Sequence, residues 1–230
     1  MTYPFVPEPQ MITAHFIDGL RHAARDESPY LRWYIKDILP ESACTAILVL
    51  PIAPPLLGTT DGTRGNYNDK RTFFTPELRR QFPICEKICQ ALQSPEVARQ
   101  FEKTCGIKAD GTFLRLEYMQ DLNGMWLEPH RDIKEKVFSM VVYLCTGPHA
   151  KDWGTDIYDH DKKWLKRNAP EFNSAVIFKA GPHSWHGFEP RPIIGVRRLM
   201  EINYVRDWRA REQLAFPDRP ISTDPPSLPG

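Results

Sequence analysis

The chain has 230 residues and a mass of 26.6 kDa, room for one generous domain with a real core, and its 30 Lys+Arg against 29 Asp+Glu leave a net charge of +1. So even a balance gives no reason to expect nucleic acid or an anionic membrane as the main partner. No apolar run approaches the ~20 residues of a membrane-spanning helix, and Met1 to Gln10 holds three prolines and no signal-like apolar segment. Cys44, Cys85, Cys89, Cys105 and Cys145 form no Cys-x-x-Cys pair and read as reduced thiols of a cytoplasmic protein.

Residues 11–26 carry a modest helical pattern, closed by Ser28-Pro29. Tyr30 to Ile35 alternates like a strand, and Pro40 opens a second helix that ends by Pro51. The segment from Pro54 to Arg71, with three glycines, reads as a loop long enough to cover a binding site. Helix resumes at Thr75-Pro76, breaks at Pro83, and continues with Ile84, Ile88 and Leu92 on one face, where Cys85 and Cys89 read as packing residues; a further helix runs from Pro95 to Thr104. Beyond Gly106 the period changes to two: Thr112 to Met119, Val137 to Leu144, Ser174 to Phe178 and Val196 to Val205 read as strands. Helices first and strands afterwards predict an α+β domain with helices laid on one face of a sheet sandwich. Phe216 onward, rich in proline, reads as an extended or disordered tail.

The chemistry concentrates between His130 and Arg197. His130-Arg131-Asp132 and His186 supply two imidazoles and one carboxylate, the donor set with which a non-haem iron is held on one face while the other stays open. A His-x-Asp turn gives two donors at once, and the third must come from a strand folded back beside it. His-Arg-Asp is also the catalytic-loop signature of protein kinases, but the position five beyond Asp132 is Val137, and no Gly-x-Gly-x-x-Gly loop or Asp-Phe-Gly is present. His183 competes with His186 as the third donor; His15, His22, His149 and His160 read as surface or packing residues. Trp126, Trp153, Tyr158 and Trp185 flank the expected pocket.

The order of these features over roughly residues 112–205 resembles the Fe(II)- and 2-oxoglutarate-dependent dioxygenases, in the branch that includes prolyl hydroxylases and phytanoyl-CoA hydroxylase. The matching pieces are His130-Arg131-Asp132, the strand ending Tyr143-Leu144, Trp153 to Tyr158, Trp185-His186-Gly187-Phe188 with Pro190, and Gly195-Val196-Arg197. The resemblance implies a double-stranded β-helix, the cupin-like jelly-roll, with the N-terminal helices on one sheet. It implies one domain over residues 1–215, helical support over 1–106 and jelly-roll core over 107–215, with 216–230 as tail. His130, Asp132 and His186 would bind Fe(II), with His186 favoured over His183 by the family spacing. Arg197 would pair with the distal carboxylate of 2-oxoglutarate, a task suited to a planar guanidinium. Tyr143 would assist and Tyr118 would line the cofactor pocket.

Arg198 remains the alternative anchor on the residues alone, since it alternates with Met200, Ile202 and Tyr204 while Arg197 alternates with Leu199, Glu201 and Asn203. The expected activity consumes O2, releases succinate and CO2, and hydroxylates a C–H bond; the presence of Asp132 argues against the halogenating members, which lack that carboxylate. A small-molecule substrate is expected because no recognition module is appended. A cupin-like metalloenzyme that does not use 2-oxoglutarate and a non-catalytic jelly-roll binding protein are the alternatives.

Overall fold

The computed structural model describes residues 4–56, 61–65 and 70–224. Five α-helices lie before Gly106 among the described residues, with three short strands between them: α1 (Pro9–Arg21), α2 (Glu41–Leu48), α3 (Pro76–Gln81), α4 (Pro83–Gln93) and α5 (Pro95–Cys105). Their starts follow from local chemistry. Proline stands in the first turn of α1, α3, α4 and α5, where its missing N–H costs nothing, and the side chains of Thr75 and Ser94 accept from the N–H of Leu78 and Val97. Gly106 ends α5 in the left-handed conformation at φ 60°.

Eleven strands are assigned among the described residues: β1 (Ala24–Asp26), β2 (Arg32–Ile35), β3 (Thr72–Phe73), β4 (Phe113–Asp121), β5 (Leu127–His130), β6 (Lys136–Tyr143), β7 (Asp156–Tyr158), β8 (Trp164–Arg167), β9 (Ser174–Phe178), β10 (His186–Phe188) and β11 (Arg197–Val205). Seven form the larger antiparallel sheet in the order β1-β2-β9-β6-β11-β4-β3, and four form the smaller in the order β5-β10-β7-β8. This is the expected jelly-roll, open rather than closed into a barrel.

The larger sheet has two apolar faces, and that explains how polar and apolar positions alternate along it. One face packs on the helices: Leu114, Leu116, Met140, Ile202 and Tyr204 are all fully buried with Phe101, Ile88 and Leu92. Phe101 stacks on Phe138 with ring centroids 4.6 Å apart. The other face meets the smaller sheet through Met119, Val141, Tyr143, Val176, Phe178 and Leu199, packed with Ile157 and Phe188. Cys85 and Cys89 lie buried in the first of these clusters, as their helical spacing predicted.

One expectation needs correction, a second falls partly outside the described residues, and a third gains detail. The helix over 11–26 stops at Arg21, because 24–26 pairs with β2 and Asp26 binds Arg32. The loop over 54–71, a surface connection or a substrate cover, falls partly on 57–60 and 66–69, outside the described residues. The tail is extended but docked as far as Asp224: Ile221 exchanges backbone hydrogen bonds with Gly111 and Thr112, and Gln93 donates to the carbonyls of Arg219 and Pro220. Residues 225–230 lie outside the described residues.

Candidate functional site

His130, at the end of β5, and His186, at the start of β10, are direct cross-strand partners, with ring centroids 4.4 Å apart. Both rings are fixed the same way. Nδ1 of His130 lies 2.8 Å from the Glu128 carbonyl, and Nδ1 of His186 lies 2.9 Å from the Ser184 carbonyl. A carbonyl can only accept, so Nδ1 carries the hydrogen in each ring, and in the neutral ring Nε2 keeps its lone pair. Burial, aided by the neighbouring His130, lowers the His186 pKa to about 4, so it is neutral at physiological pH. Close approach of β10 to β5 requires Gly187, since a Cβ there would stand 2.9 Å from the Leu127 carbonyl.

Asp132 follows β5 by two residues. Its Oδ1 accepts from Lys136 Nζ at 2.8 Å, and the same ammonium reaches Glu201 Oε1 at 2.5 Å. Burial alone would raise the Asp132 carboxyl, but Lys136 and His186 outweigh it and hold it below the usual range. Its Oδ2 is buried with no partner. Among the described residues no three His, Cys, Asp or Glu side chains are gathered as a metal-holding cluster: the imidazoles are together, and the carboxylate is drawn to Lys136. The donor set nevertheless suits a divalent iron. Two imidazoles turn Nε2 away from their backbone partners, and an orphaned carboxylate oxygen, costly when buried, lies within electrostatic reach of one of them. His183 is exposed and stands apart from this group.

A cavity of about 420 Å³ opens beside the three side chains, and Arg197 lines it. The guanidinium donates from Nη1 to Asp121 Oδ2 at 2.6 Å and from Nε to the Trp153 carbonyl at 2.8 Å. Nη2 has no hydrogen-bond partner among the described residues. Arg64 also binds Asp121 and reaches Glu117 at 4.0 Å, so Arg197 shares its carboxylate with a second guanidinium. Arg198 points the other way, beside Tyr118 on the helix-covered face.

That placement corrects the Tyr118 expectation. Tyr118 is buried in the helix-side core with Leu114 and Leu116, because the three share a face at period two. Tyr143 does reach the cavity end, through Thr155: its phenol oxygen lies 2.7 Å from Thr155 Oγ1 and accepts the Thr155 N–H at 3.2 Å. Trp126, Trp153, Tyr158 and Trp185 do not line the cavity among the described residues; the tryptophan that does is Trp208.

Several lining residues carry no motif. Arg71 chelates Glu117, and Arg115 donates to Asn203 Oδ1 at 2.8 Å and Gln213 Oε1 at 3.1 Å. The signal for them was available in the alternation of β4 and β11, where Arg115, Glu117, Asp121, Arg197, Glu201 and Asn203 fall on one face of the sheet.

A jelly-roll with two imidazoles, a carboxylate and an arginine at one cavity resembles the folds of non-haem oxygenases. Comparison with known proteins sharpens this. Residues 114–206 match the family model described as the 2OG-Fe(II) oxygenase superfamily. No curated protein matches the chain. Among solved structures, a prolyl-4-hydroxylase of Pseudomonas putida aligns at TM-score 0.55 and 16% identity, over 86% of this chain and all of that one. A prolyl 4-hydroxylase of Phytophthora capsici aligns at 0.58 and 14%, over 90% of this chain and 70% of that one. A prolyl hydroxylase of Trichoplax adhaerens, solved with a hypoxia inducible factor peptide fragment, aligns at 0.56 and 13%, over 86% and 90%. At such identities the likeness is one of fold. Together with the match over residues 114–206, it makes this protein similar to the 2OG-Fe(II) oxygenases, dioxygenases that use Fe(II), 2-oxoglutarate and O2.

Proposed function

We propose that His130, Asp132 and His186 hold the Fe(II), that Arg197 anchors 2-oxoglutarate, and that the enzyme hydroxylates a C–H bond of a small-molecule substrate with release of succinate and CO2. The observation that carries this reading is the pairing of two imidazoles, each with its Nδ1–H consumed by its own backbone, beside a buried carboxylate oxygen that has no partner. Bound Fe(II) and 2-oxoglutarate supply the activation of O2; the chain supplies placement.

Strand pairing sets the separation of the two rings, and Lys136, braced by Glu201, aims Asp132. Arg197 offers Nη2 to the distal carboxylate, with the Thr155 and Tyr143 hydroxyls at the same end. Asp121 and Trp153 keep the guanidinium from swinging away. Met119, Val141, Phe178, Phe188 and Leu199 wall the cavity with apolar surface that keeps water from the reacting atoms. A volume of about 420 Å³ lies in the range of small-molecule sites, and the charges of Arg71, Arg115, Glu117 and Glu201 would orient a polar substrate there.

The activity itself tests the assignment. The full chain with Fe(II), 2-oxoglutarate and O2 should form succinate slowly even without primary substrate, His186→Ala should abolish this, and Arg197→Ala should raise the KM for 2-oxoglutarate about 10-fold or more, the equivalent of one charge-assisted hydrogen bond. Succinate formation that survives His186→Ala contradicts the ligand assignment; an unchanged KM in Arg197→Ala moves the anchor elsewhere.

A further inference from the structure

The segment from Glu128 to Lys136 has two sides. One faces the cavity; along the other runs an open groove of about 730 Å³, so that His130 and Asp132 form part of both walls. With Asp132 and Lys136 paired to each other, the remaining charges in the groove are Lys108, Arg131, Lys134, Lys162, Lys179 and Arg206 against a single carboxylate, Glu128. None of these six cations has an ion-pair partner among the described residues. In a chain whose positive and negative residues nearly cancel, 30 against 29, this is a marked local excess.

The groove is also held in shape. Lys179 Nζ donates to the Gly106 carbonyl at 2.9 Å, tying the end of β9 to the loop after α5, and Arg131 donates to the Pro182 carbonyl at 3.1 Å. Arg131 and Lys162 lie 4.7 and 4.6 Å from the centre of the Trp185 ring. Like charges gathered from separate segments repel one another and weaken the fold unless an anion offsets them. Four of the six are lysines, compact point charges that suit phosphate oxygens.

We propose that this groove binds the phosphate-bearing part of the substrate, a small molecule with two or more phosphate charges, whose carbon portion passes the wall formed by His130 and Asp132 into the cavity. The proposal rests on reading that cavity as the oxygenase site. The groove volume fits a ligand of small-molecule size, whereas a docked acidic peptide would spread over a larger surface.

Calorimetric titration of the metal-free full chain at low salt, with inorganic pyrophosphate and in parallel with a polyglutamate peptide, tests this. Pyrophosphate should bind, polyglutamate should bind more weakly, and Lys134→Glu combined with Lys162→Glu should weaken pyrophosphate by about 10-fold or more, since two attractive charges become repulsive. The same double variant should retain the visible absorption formed when Fe(II) and 2-oxoglutarate are added anaerobically. No pyrophosphate binding in a protein that gives this absorption overturns the groove proposal alone, as does binding that the double variant leaves unchanged. Tighter binding of polyglutamate overturns it in favour of an acidic peptide. Pyrophosphate binding by a wild-type protein that gives no absorption ends the substrate role together with the proposed function, leaving an anion site of another kind.

Discussion

Lys136 decides how Asp132 is presented. Its ammonium takes Oδ1 and leaves Oδ2 buried and unpartnered, so the free oxygen has one orientation. Lys136→Met should therefore weaken Fe(II) binding about 10–100-fold, the usual cost of losing the hydrogen-bond partner of a metal-ligating side chain, and Lys136→Arg should recover part of it. Competition titration against a metallochromic chelator checks both, and equal affinities would remove Lys136 from the site. Asp121 carries a second prediction. Burial pushes its carboxyl up, but Arg64 and Arg197 outweigh burial and hold it below the ordinary range. A carboxyl depressed in the folded state contributes stability that is fully present above its unfolded pKa of about 4 and is lost as pH falls through the folded value. The urea midpoint of Asp121→Asn should accordingly lie below that of wild type at neutral pH, and the gap should narrow only below about pH 4. At this scale the sequence was legible where residues fall in a motif: His130, Asp132, His186 and Arg197 all come to one cavity. Lys136, Arg71, Arg115 and Trp208 belong to no motif, and Tyr118 was misplaced although its period-two partners Leu114 and Leu116 already put it on the helix face.

At the scale of elements, the pairing of β5 with β10 brings the two histidines together, and Gly187 permits it. Gly187→Ala would set a methyl 2.9 Å from the Leu127 carbonyl and 3.1 Å from that of Glu128. The strands must part, at a cost of about 1–3 kcal/mol typical of overpacking, and the imidazoles part with them. Loss of both Fe(II) affinity and thermal stability is the expected result, read by titration and by calorimetric melting; a stable variant with wild-type affinity would mean that strand spacing does not set the ring geometry. Long strands were legible because β4, β6, β9 and β11 are bounded by turn residues and rich in apolar and β-branched side chains. The short ones were not. Thr72–Phe73 has two residues, and Trp164–Arg167 shows no alternation because Trp164 and Leu165 are both exposed. Such segments are strands only because a neighbouring strand offers an edge.

For the whole molecule, the helices and the C-terminal tail close the helix-covered face of the larger sheet. Proline content suggested an extended or disordered tail, and composition alone could not reveal that Ile221, 1% exposed, is seated in the core. Deleting residues 216–230 should remove at least the burial of that side chain, about 2 kcal/mol, and lower the melting midpoint by several degrees; an unchanged midpoint would show the tail to be dispensable. Fold class followed from helices preceding strands, whereas the charged lattice across the cavity depends on which face of a doubly covered sheet turns inward, and that is settled only by packing. The central claim is that His130, Asp132 and His186 hold an iron to which 2-oxoglutarate binds. Anaerobic titration of the full chain with Fe(II) and then 2-oxoglutarate tests it most directly, by the weak visible metal-to-ligand charge-transfer absorption. The band should appear in wild type and be lost in both Asp132→Ala and His186→Ala; a band that persists in either variant, or a wild-type protein that binds no Fe(II), would contradict the assignment.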